Sequence, residues 1–394
     1  MSTQLHIGKS AQPAARAAAA EAASAALRGV AEPALAIALS APGYQGPELA
    51  AALSHELGSI PWVGCSAPAV FAGSALMREG LVLGVISSGE AYVGVGVAGP
   101  VSRNPVHASA AAVARALDQM PARRPGRSRA LLLFVDAAGG NGAEVVRGAV
   151  REGGAGVIWA GGGAGSGDLG SAPSALYARG VTYTDSAVAA ALDLPGPIGV
   201  GMRHGWRPYG PPLMVTRSRG PITCELEYEP AFEIYRRIAG DQGDTVSLES
   251  FATFAMTHPL GIPQADGEHV IRDPLSVEPD GALRCVTEVP DGSLVRLMQG
   301  TPKALLLAAR EAAYLARQKT GMSMGGALVF DCVSRYLMLG EAFGEEIESF
   351  VTALGPSTPM MGCLSFGEIG ALGSGVPQFH NKTAVVLALP GDGS

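Results

Sequence analysis

Two side chains of opposite charge follow buried strands in the C-terminal half of the chain. Cys332 and Arg335 come where the apolar strand Ala327–Phe330 gives way to a turn, and Glu368 lies on a glycine-rich turn after the neighbouring strand. Ligands of open α/β folds bind off the carboxyl ends of strands. An arginine there can hold a carboxylate through two parallel hydrogen bonds, and a glutamate can accept an ammonium group. Arg335 and Glu368 therefore suit a zwitterionic amino acid, or they form a structural ion pair with each other.

Further candidates lie in the same C-terminal region, and one similar Gly-Cys pair lies near residue 65 in the N-terminal half. His380 and Asn381 precede the last strand, where they either contact a ligand or fix a turn. Cys65, which Ser66 follows, and Cys363 each come directly after a glycine that ends an apolar strand. Cys65 and Ser66 are therefore candidate ligand contacts; the alternative is that Cys65 and Cys363 are small buried packing residues where strands converge.

A second chemistry is open to the same residues. Cys332 is a candidate nucleophile with His380 as its base and turn amides as an oxyanion hole, although no known nucleophile signature surrounds Cys332. The glycine run Gly161–Gly167 suggests a phosphate loop, but it lacks the Lys-Ser/Thr of a Walker motif and no clear helix follows it at once. We expect close backbone packing there instead of a nucleotide.

The elements that position these residues form a pattern that occurs three times. Each copy reads as an apolar strand, a helix, a second strand that ends in a Gly-containing turn, and a further strand. The copies span Ala34–Val97, Arg129–Leu192 and Gly326–Gly391. This pattern predicts an α/β chain with mixed parallel/antiparallel sheets flanked by helices, built from repeated β-α-β-β units and layered αββα.

The segments outside the copies are read separately. A meander of short strands is predicted over Leu260–Leu297, and the helix Thr301–Gln318 has a capping Thr and a first-turn Pro. The Ala-rich segment Ala11–Leu27 is predicted to be a surface helix. We therefore expect an N-terminal extension over 1–28, a first domain over 29–225 and a second domain over 226–394.

Composition excludes several classes of protein. Of 394 residues, 54 are Gly and 28 Pro, 47% are hydrophobic and 16% charged, so the chain has enough apolar material to exclude a disordered protein. The net charge of −7 disfavours nucleic-acid binding, and no apolar run is long enough for a membrane span. Five cysteines without a C-x-x-C pair fit neither a disulfide framework nor a zinc site, so we expect a reducing cytoplasm and no metal.

The order and spacing of several blocks resemble the FIST proteins, whose tandem FIST N and FIST C domains occur in bacterial signalling proteins and in a eukaryotic F-box protein. The resemblance covers nearly the whole chain. The blocks are VGCSAP (Val63–Pro68), GGGAGSGD (Gly161–Asp168), GWRPYGPPLMVTRS (Gly205–Ser218), EYEPAFEIYRRIAG (Glu227–Gly240), ALVFDCVSR (Ala327–Arg335), GCLSFGEIG (Gly362–Gly370) and HNKT (His380–Thr383). One departure concerns the site: the family usually continues from GCS with Thr-Ala-Gly-Glu-Ile, whereas Ala67–Phe71 stand there. The first-half carboxylate is thus absent, and the second half keeps its own at Glu368.

The resemblance implies a cytoplasmic sensory protein that binds a small molecule, such as an amino acid, and that has no cofactor and no general catalytic activity. Its expected partners are the ligand and an unidentified downstream signalling protein, with a homo-oligomer left open, and neither nucleic acid nor a membrane. A cysteine-dependent enzyme using Cys332 and a protein-interaction scaffold remain as alternatives.

Overall fold

The chain repeats one order of elements three times: an edge strand, a helix, a strand, a second helix, a strand, a two-stranded hairpin and a return strand. The structure is a computed structural model that describes residues 3–44, 46–139, 141–167, 174–265, 267–321, 323–371 and 375–391. Asp168, the last residue of the Gly161–Asp168 block, lies outside these ranges.

The first two units follow each other directly. Unit 1 contains β1 (Gln4–Ser10), α1 (Ala15–Ala26), β2 (Pro33–Ser40), α2 (Gly46–Leu57), β3 (Trp62–Ser66), the hairpin β4 (Val70–Ala72) and β5 (Ala75–Met77), and β6 (Leu81–Ser87). Unit 2 contains β7 (Tyr92–Ala98), α3 (Pro105–Leu117), β8 (Arg127–Asp136), α4 (Gly142–Gly153), β9 (Ile158–Ala164), the hairpin β10 (Leu176–Ala178) and β11 (Val181–Tyr183), and β12 (Ala187–Pro195).

Unit 3 begins with β13 (Gly199–Arg203) and is then interrupted by an inserted subdomain. The insertion contains β14 (Arg207–Pro208), β15 (Leu213–Arg219), β16 (Ile222–Leu226), β17 (Glu229–Pro230), α5 (Ala231–Asp241), α6 (Phe251–Thr257), β18 (Leu260–Pro263), β19 (His269–Arg272), β20 (Pro274–Val277), β21 (Leu283–Cys285) and β22 (Leu294–Gln299). The unit resumes with α7 (Pro302–Thr320), β23 (Met324–Cys332), α8 (Val333–Leu339), α9 (Phe343–Leu354), β24 (Met360–Ser365), the hairpin β25 (Glu368–Gly370) and β26 (Gln378–His380), and β27 (Ala384–Pro390).

The three units exchange their hairpins in a closed cycle. In each unit the two strands around the second crossover pair in parallel, the return strand pairs antiparallel with the first of them, and the edge strand extends the sheet. The hairpin of unit 2 completes the sheet of unit 1, that of unit 3 completes unit 2, and that of unit 1 completes unit 3. No unit therefore has a complete sheet of its own.

The inner faces of the three sheets share one hydrophobic core. Leu39 of unit 1, Phe134 of unit 2 and Phe330 of unit 3 all belong to it. The outer faces pack against α1 and α2, against α3 and α4, and against α7 and α9. The predicted fold class of mixed sheets flanked by helices is confirmed, with three sheets enclosing the interior and the helices outside.

Glycine and alanine meet where each edge strand crosses its helix. A Cβ at Gly8 would lie 1.9 Å from the Ala22 carbonyl oxygen, and a Cβ at Gly201 would lie 1.9 Å from that of Ala312. Only a glycine strand can approach an alanine helix so closely. The Ala-rich segment 11–27, expected to be a surface helix, instead has six buried alanines and belongs to unit 1 together with β1.

The inserted subdomain has its own core and a sheet that includes β15, β16, β18 and β22. The expected domain boundary between residues 225 and 226 falls inside β16, which pairs with β15 on one side and β21 on the other. Within the part of the chain that the structure describes, no helix has both the length and the apolar character needed to cross a membrane.

Candidate functional site

A polar cluster lies at the edge of the shared hydrophobic core, beside the carboxyl ends of β23 and β24. It consists of Cys332, Ser365, Glu368 and Thr383, which are all buried; we call it the interior cluster. Cys332 is the last residue of β23 and shares the inward face of Phe330, since successive strand residues alternate. Glu368 opens the exchanged hairpin and pairs with Gly162 of unit 2. The cluster thus lies where two units meet.

Hydrogen bonds converge on the Glu368 carboxyl group. Ser365 Oγ donates to Oε1 at 2.8 Å, the Thr383 backbone N–H donates to Oε2 at 3.2 Å, and the Cys332 thiol is a further side-chain partner. The Cys332 sulfur in turn accepts from the Lys382 backbone N–H at 3.1 Å. These bonds fix both side chains against the start of β27.

Burial controls the protonation of the interior cluster. It raises the pKa of Glu368 to about 8, although the Ser365, Thr383 and Cys332 hydrogen bonds and the charge of Arg335 act in the opposite direction. Burial and the neighbouring Glu368 also raise the pKa of the Cys332 thiol well above its usual value. At neutral pH the carboxyl group is mostly protonated and the thiol is un-ionised. Since the thiolate is the nucleophilic form, this environment disfavours covalent catalysis by Cys332.

Arg335 belongs to a different cluster, on the outer face of the same sheet. Its Nε lies 3.1 Å from Asp331 Oδ1 and donates to Glu346 Oε1 at 2.8 Å. Its Nη1 donates to the His204 carbonyl at 2.8 Å and its Nη2 to the Leu305 carbonyl at 2.9 Å. The side chain is fully buried, and each guanidinium nitrogen has a protein partner. Arg335 ties α8 to α9, α7 and β23.

This arrangement corrects the pairing expected from the sequence. Arg335 pairs with Asp331 and Glu346 instead of Glu368, and none of its nitrogens is left to clamp a ligand carboxylate. Burial and mutual repulsion raise the pKa of Asp331 well above normal, and burial also raises that of Glu346. The structure therefore favours the structural role of Arg335 that the sequence left open.

His380 and Asn381 lie beside the interior cluster and are almost completely buried. His380 is the direct cross-strand neighbour of Glu368, which places the two side chains on one face of the hairpin. Neither ring nitrogen of His380 makes a well-formed hydrogen bond within the described ranges, and neither does Asn381 Oδ1. Burial, then the charges of Arg272 and His204, lower the pKa of His380 to about 3, and a weak hydrogen bond with the Gly370 backbone opposes this fall. The imidazole is neutral.

Cys65 and Ser66 have packing roles that the structure makes explicit. The Cys65 and Cys363 side chains are hydrogen-bond partners inside the shared core, so unit 1 and unit 3 meet there. Ser66 Oγ accepts from the Ala175 backbone N–H at 2.9 Å, and the Ser66 carbonyl accepts from Gly165 at 3.2 Å. Both residues join neighbouring units instead of meeting the Glu368 carboxyl group.

Two family models match this chain in tandem. The FIST N domain model matches residues 34–229 and the FIST C domain model matches residues 231–371. The chain belongs to the FIST family. FIST domains are sensory domains of signal transduction that bind small ligands. The side chains of the interior cluster and the Arg335 cluster lie in the FIST C half, apart from Thr383, which follows the matched region, whereas the His204 carbonyl that Arg335 binds belongs to the FIST N half.

The chain is similar to two curated proteins and to two solved structures. Two uncharacterized proteins of Mycobacterium tuberculosis, from strains CDC 1551 / Oshkosh and ATCC 25618 / H37Rv, are each 29% identical over 201 residues, which cover 48% of this chain and 51% of theirs. The chain thus spans about half the length of the curated relatives it matches. The chain is also similar to two structures of cyanuric acid hydrolase, one of them from A. caulinodans. Identity is 9% and 8%, coverage is at least 98% of each chain, and the TM-scores are 0.35 and 0.38.

The hairpin exchange shows that FIST C carries a polar pair where FIST N carries none. The first residues of the three hairpins are equivalent, because each pairs with the second parallel strand of another unit. They are Val70, Leu176 and Glu368, and their cross-strand partners are Met77, Tyr183 and His380. Of these three pairs, only Glu368 and His380 are both titratable, and their pKa values are about 8 and about 3.

Several residues of these clusters were missed in the sequence. Ser365 and Thr383 stand within recognised blocks but have unremarkable side chains, and only the fold brings them to Glu368. Glu346 follows Glu345 at the start of α9, and helical spacing with Phe350 was the one signal that it faces inward. Within the ranges that the structure describes, no group of three His, Cys, Asp or Glu residues could hold a metal ion.

Proposed function

We propose that this FIST protein is a cytoplasmic sensor that recognises an amino acid or a related small metabolite and passes the signal to a downstream partner protein. The observation that carries the proposal is the Glu368 and His380 pair, with Asn381 beside it. Asn381 Oδ1 is buried without a well-formed hydrogen bond, and the His380 ring has only a weak hydrogen bond with the Gly370 backbone. Buried polar groups in native proteins are almost always paired, so these atoms are suited to accept and donate bonds to a bound molecule.

The protonation states define the chemistry that such a site offers. A neutral imidazole supplies one donor and one acceptor, and an amide oxygen supplies an acceptor. Glu368, with a pKa of about 8, can lose its proton when a ligand ammonium group approaches. The site therefore suits amides, hydroxyls and amines of a small metabolite. The five free cysteines support a reducing compartment.

The test is thermal unfolding of the full chain against a panel of the common amino acids, their amides and their decarboxylated amines at millimolar concentration. At least one compound is expected to raise the melting temperature, since a ligand of the native state stabilises it. Glu368→Gln and His380→Gln should remove that shift. Ser40→Ala is the matched control, because it removes a buried hydrogen bond between Ser40 of unit 1 and Tyr177 of the unit 2 hairpin and should leave the shift intact. A panel without any shift would contradict the proposal.

The cysteine-dependent alternative finds less support. The Cys332 thiol is buried, un-ionised and already accepts a hydrogen bond from the chain. Its reactivity is tested below, where a fast-reacting Cys332 would restore the enzyme hypothesis.

A further inference from the structure

A cleft of about 480 Å³ opens beside the hairpin that carries His380. One wall is α4 of unit 2, another is the inserted subdomain, and the third is the segment that leads into β26. Because three parts of the chain meet there, a molecule in the cleft would contact the FIST N half, the insertion and the exchanged hairpin together. The volume is in the range of small-molecule sites, about 300–1,000 Å³.

The charges around this cleft are mainly positive, although the whole chain is acidic. Arg147, Arg151 and Arg272 line it, and Glu288 is the one acidic residue among its described lining residues. Glu288 is already engaged, because its carboxylate pairs with Arg147 and accepts from the Asn141 side chain. Arg151 is exposed and has no hydrogen bond or ion pair in the described ranges. We call this the arginine cleft.

Arg272 is the most informative residue of the arginine cleft. Only 4% of it is exposed, and it donates to three backbone carbonyls: Nε to Glu288 at 2.7 Å, and Nη1 to Ile271 at 3.1 Å and to Phe379 at 3.0 Å. No described carboxylate lies within ion-pair distance of it, and its Nη2 has no described hydrogen bond. Burial lowers its pKa to about 10, so it still carries its charge at neutral pH. The charge of Glu288 opposes this fall in pKa from beyond ion-pair distance, so Arg272 has a nearby anion but no direct ion-pair partner.

The rest of the lining is apolar. Val146 and Val150 come from α4, Ile262 from β18, and Val376 and Phe379 from the segment around β26. Val376 is 67% exposed at the edge of the cleft, so its side chain adds apolar surface that a bound molecule can cover. The arginine cleft therefore combines the buried cation Arg272 and the exposed cation Arg151 with an apolar wall.

We propose that the arginine cleft binds a small carboxylate with an apolar body, with the carboxylate on Arg272 and Arg151 and the body against Val146, Val150 and Val376. The inference deepens the proposed sensory function and rests on it for its biological meaning. Arg272 also donates a hydrogen bond to the carbonyl of Phe379, the residue before His380. A carboxylate bound to Arg272 is therefore linked through this bond to the hairpin that carries Glu368 and His380. Glu288 is occupied, so an ammonium group finds no free acceptor there, and a simple carboxylate is favoured over an amino acid.

The experiment is calorimetric titration of the full chain with hexanoate, its uncharged isostere hexanamide, and L-leucine. Hexanoate is expected to bind saturably, and hexanamide at least about tenfold more weakly, because an amide lacks the charge that Arg272 and Arg151 recognise. Equal binding of hexanoate and hexanamide, or no binding of hexanoate, would overturn the proposal.

Variants at the rim keep the test independent of folding. Val376→Glu places a negative charge at an exposed position of the cleft and should weaken hexanoate binding about tenfold, whereas the neutral Val376→Gln should change it less than about threefold. Arg151→Gln should also weaken it, and Arg272→Lys should do so while retaining a positive charge. Unchanged hexanoate binding in both Val376→Glu and Arg151→Gln would place the ligand elsewhere and end the proposal.

L-Leucine separates this inference from the proposed function. Leucine should bind the cleft more weakly than hexanoate does. Leucine binding that Val376→Glu weakens and Glu368→Gln leaves unchanged would place the amino acid in the cleft and would contradict the Glu368 and His380 site. If the whole metabolite panel fails to bind while hexanoate binds and responds to Val376→Glu, the cleft inference stands and the amino-acid proposal falls. If leucine responds only to Glu368→Gln and hexanoate does not bind, the cleft inference falls alone.

Discussion

Glu368 and His380 face each other across one exchanged hairpin, and burial moves their pKa values in opposite directions. The pKa of Glu368 rises to about 8 and that of His380 falls to about 3, so both side chains are mostly neutral near pH 7. A Glu and His pair on the surface would form an ion pair, whereas this pair offers uncharged donors and acceptors. The same two shifts make the stability of the protein depend on pH.

The first prediction concerns Glu368 at alkaline pH. A carboxyl whose pKa is 4.5 in the unfolded chain and about 8 in the native protein keeps its proton longer when folded. Its contribution to stability is complete below pH 4.5 and is lost as the pH rises towards 8, by at most ~1.4 kcal/mol per pH unit. Urea unfolding of the wild type and Glu368→Gln at pH 5 to 8.5 should show the wild type losing stability relative to the variant. Parallel curves would mean that Glu368 is ionised in the native protein.

The second prediction has the opposite sign and concerns His380. Its pKa is 6.5 in the unfolded chain and about 3 in the native protein, so the unfolded chain binds a proton that the native protein does not. Stability is therefore lost as the pH falls from 6.5 towards 3. The free energy of unfolding of His380→Gln should fall less than that of the wild type between pH 7 and pH 5. An equal fall in both proteins would show that His380 can be protonated in place.

The third prediction separates a structural Arg335 from a ligand clamp. Arg335→Met leaves Asp331 and Glu346 buried without their cation, which should cost about 3–5 kcal/mol in urea unfolding at pH 7. Arg236→Met, which breaks the exposed pair with Glu233, should cost at most about 1 kcal/mol. Adding Glu346→Met to Arg335→Met should recover part of the loss, since one uncompensated carboxyl is removed. An Arg335→Met protein as stable as Arg236→Met would point back to a ligand role.

Local sequence patterns predict most of the strands and helices, but they do not predict which distant strands pair with each other. The three copies of strand, helix, strand and return strand follow from apolar runs and glycine turns that a short window contains. The hairpin exchange joins Val70 to Cys363, almost 300 residues apart, and nothing in either segment identifies its partner. The inserted subdomain was recognised as short strands but not as an interruption of unit 3, because β13 and α7 pack together only in three dimensions.

The candidate site shows the same division. The pattern of apolar runs and glycine turns predicts Cys332 and Glu368 at the ends of neighbouring strands, and both lie in the interior cluster. It could not assign Arg335, because strand alternation puts Asp331 and Cys332 on opposite faces and helical spacing brings Glu346 to the outer one. Whether Arg335 pairs with Glu346 or with Glu368 depends on which face of the sheet each of these side chains lies on.

The fourth prediction tests the contact between edge strand and alanine helix. Gly201→Ala would place a Cβ 1.9 Å from the Ala312 carbonyl oxygen, so β13 and α7 must move apart at a cost of about 1–3 kcal/mol. Gly240→Ala is the matched control: this glycine lies in α5 with nothing within 4 Å of an added Cβ, so alanine should stabilise by about 0.5–1 kcal/mol. Thermal unfolding measures both. Similar effects of the two substitutions would contradict the close approach.

The fifth prediction concerns thiol reactivity. All five cysteines are buried, and the pKa of Cys332 lies well above its usual value because burial and Glu368 disfavour the thiolate. The native protein should therefore react slowly with a disulfide reagent at pH 7.5, and rapidly only after unfolding in urea. Tyr314→Cys supplies the positive control, because position 314 is 53% exposed on α7 and its thiol should react at once. A fast native thiol that Cys332→Ser abolishes would show a reactive cysteine beside His380, and the enzyme hypothesis would then replace the view of the interior cluster as an uncharged part of a sensor.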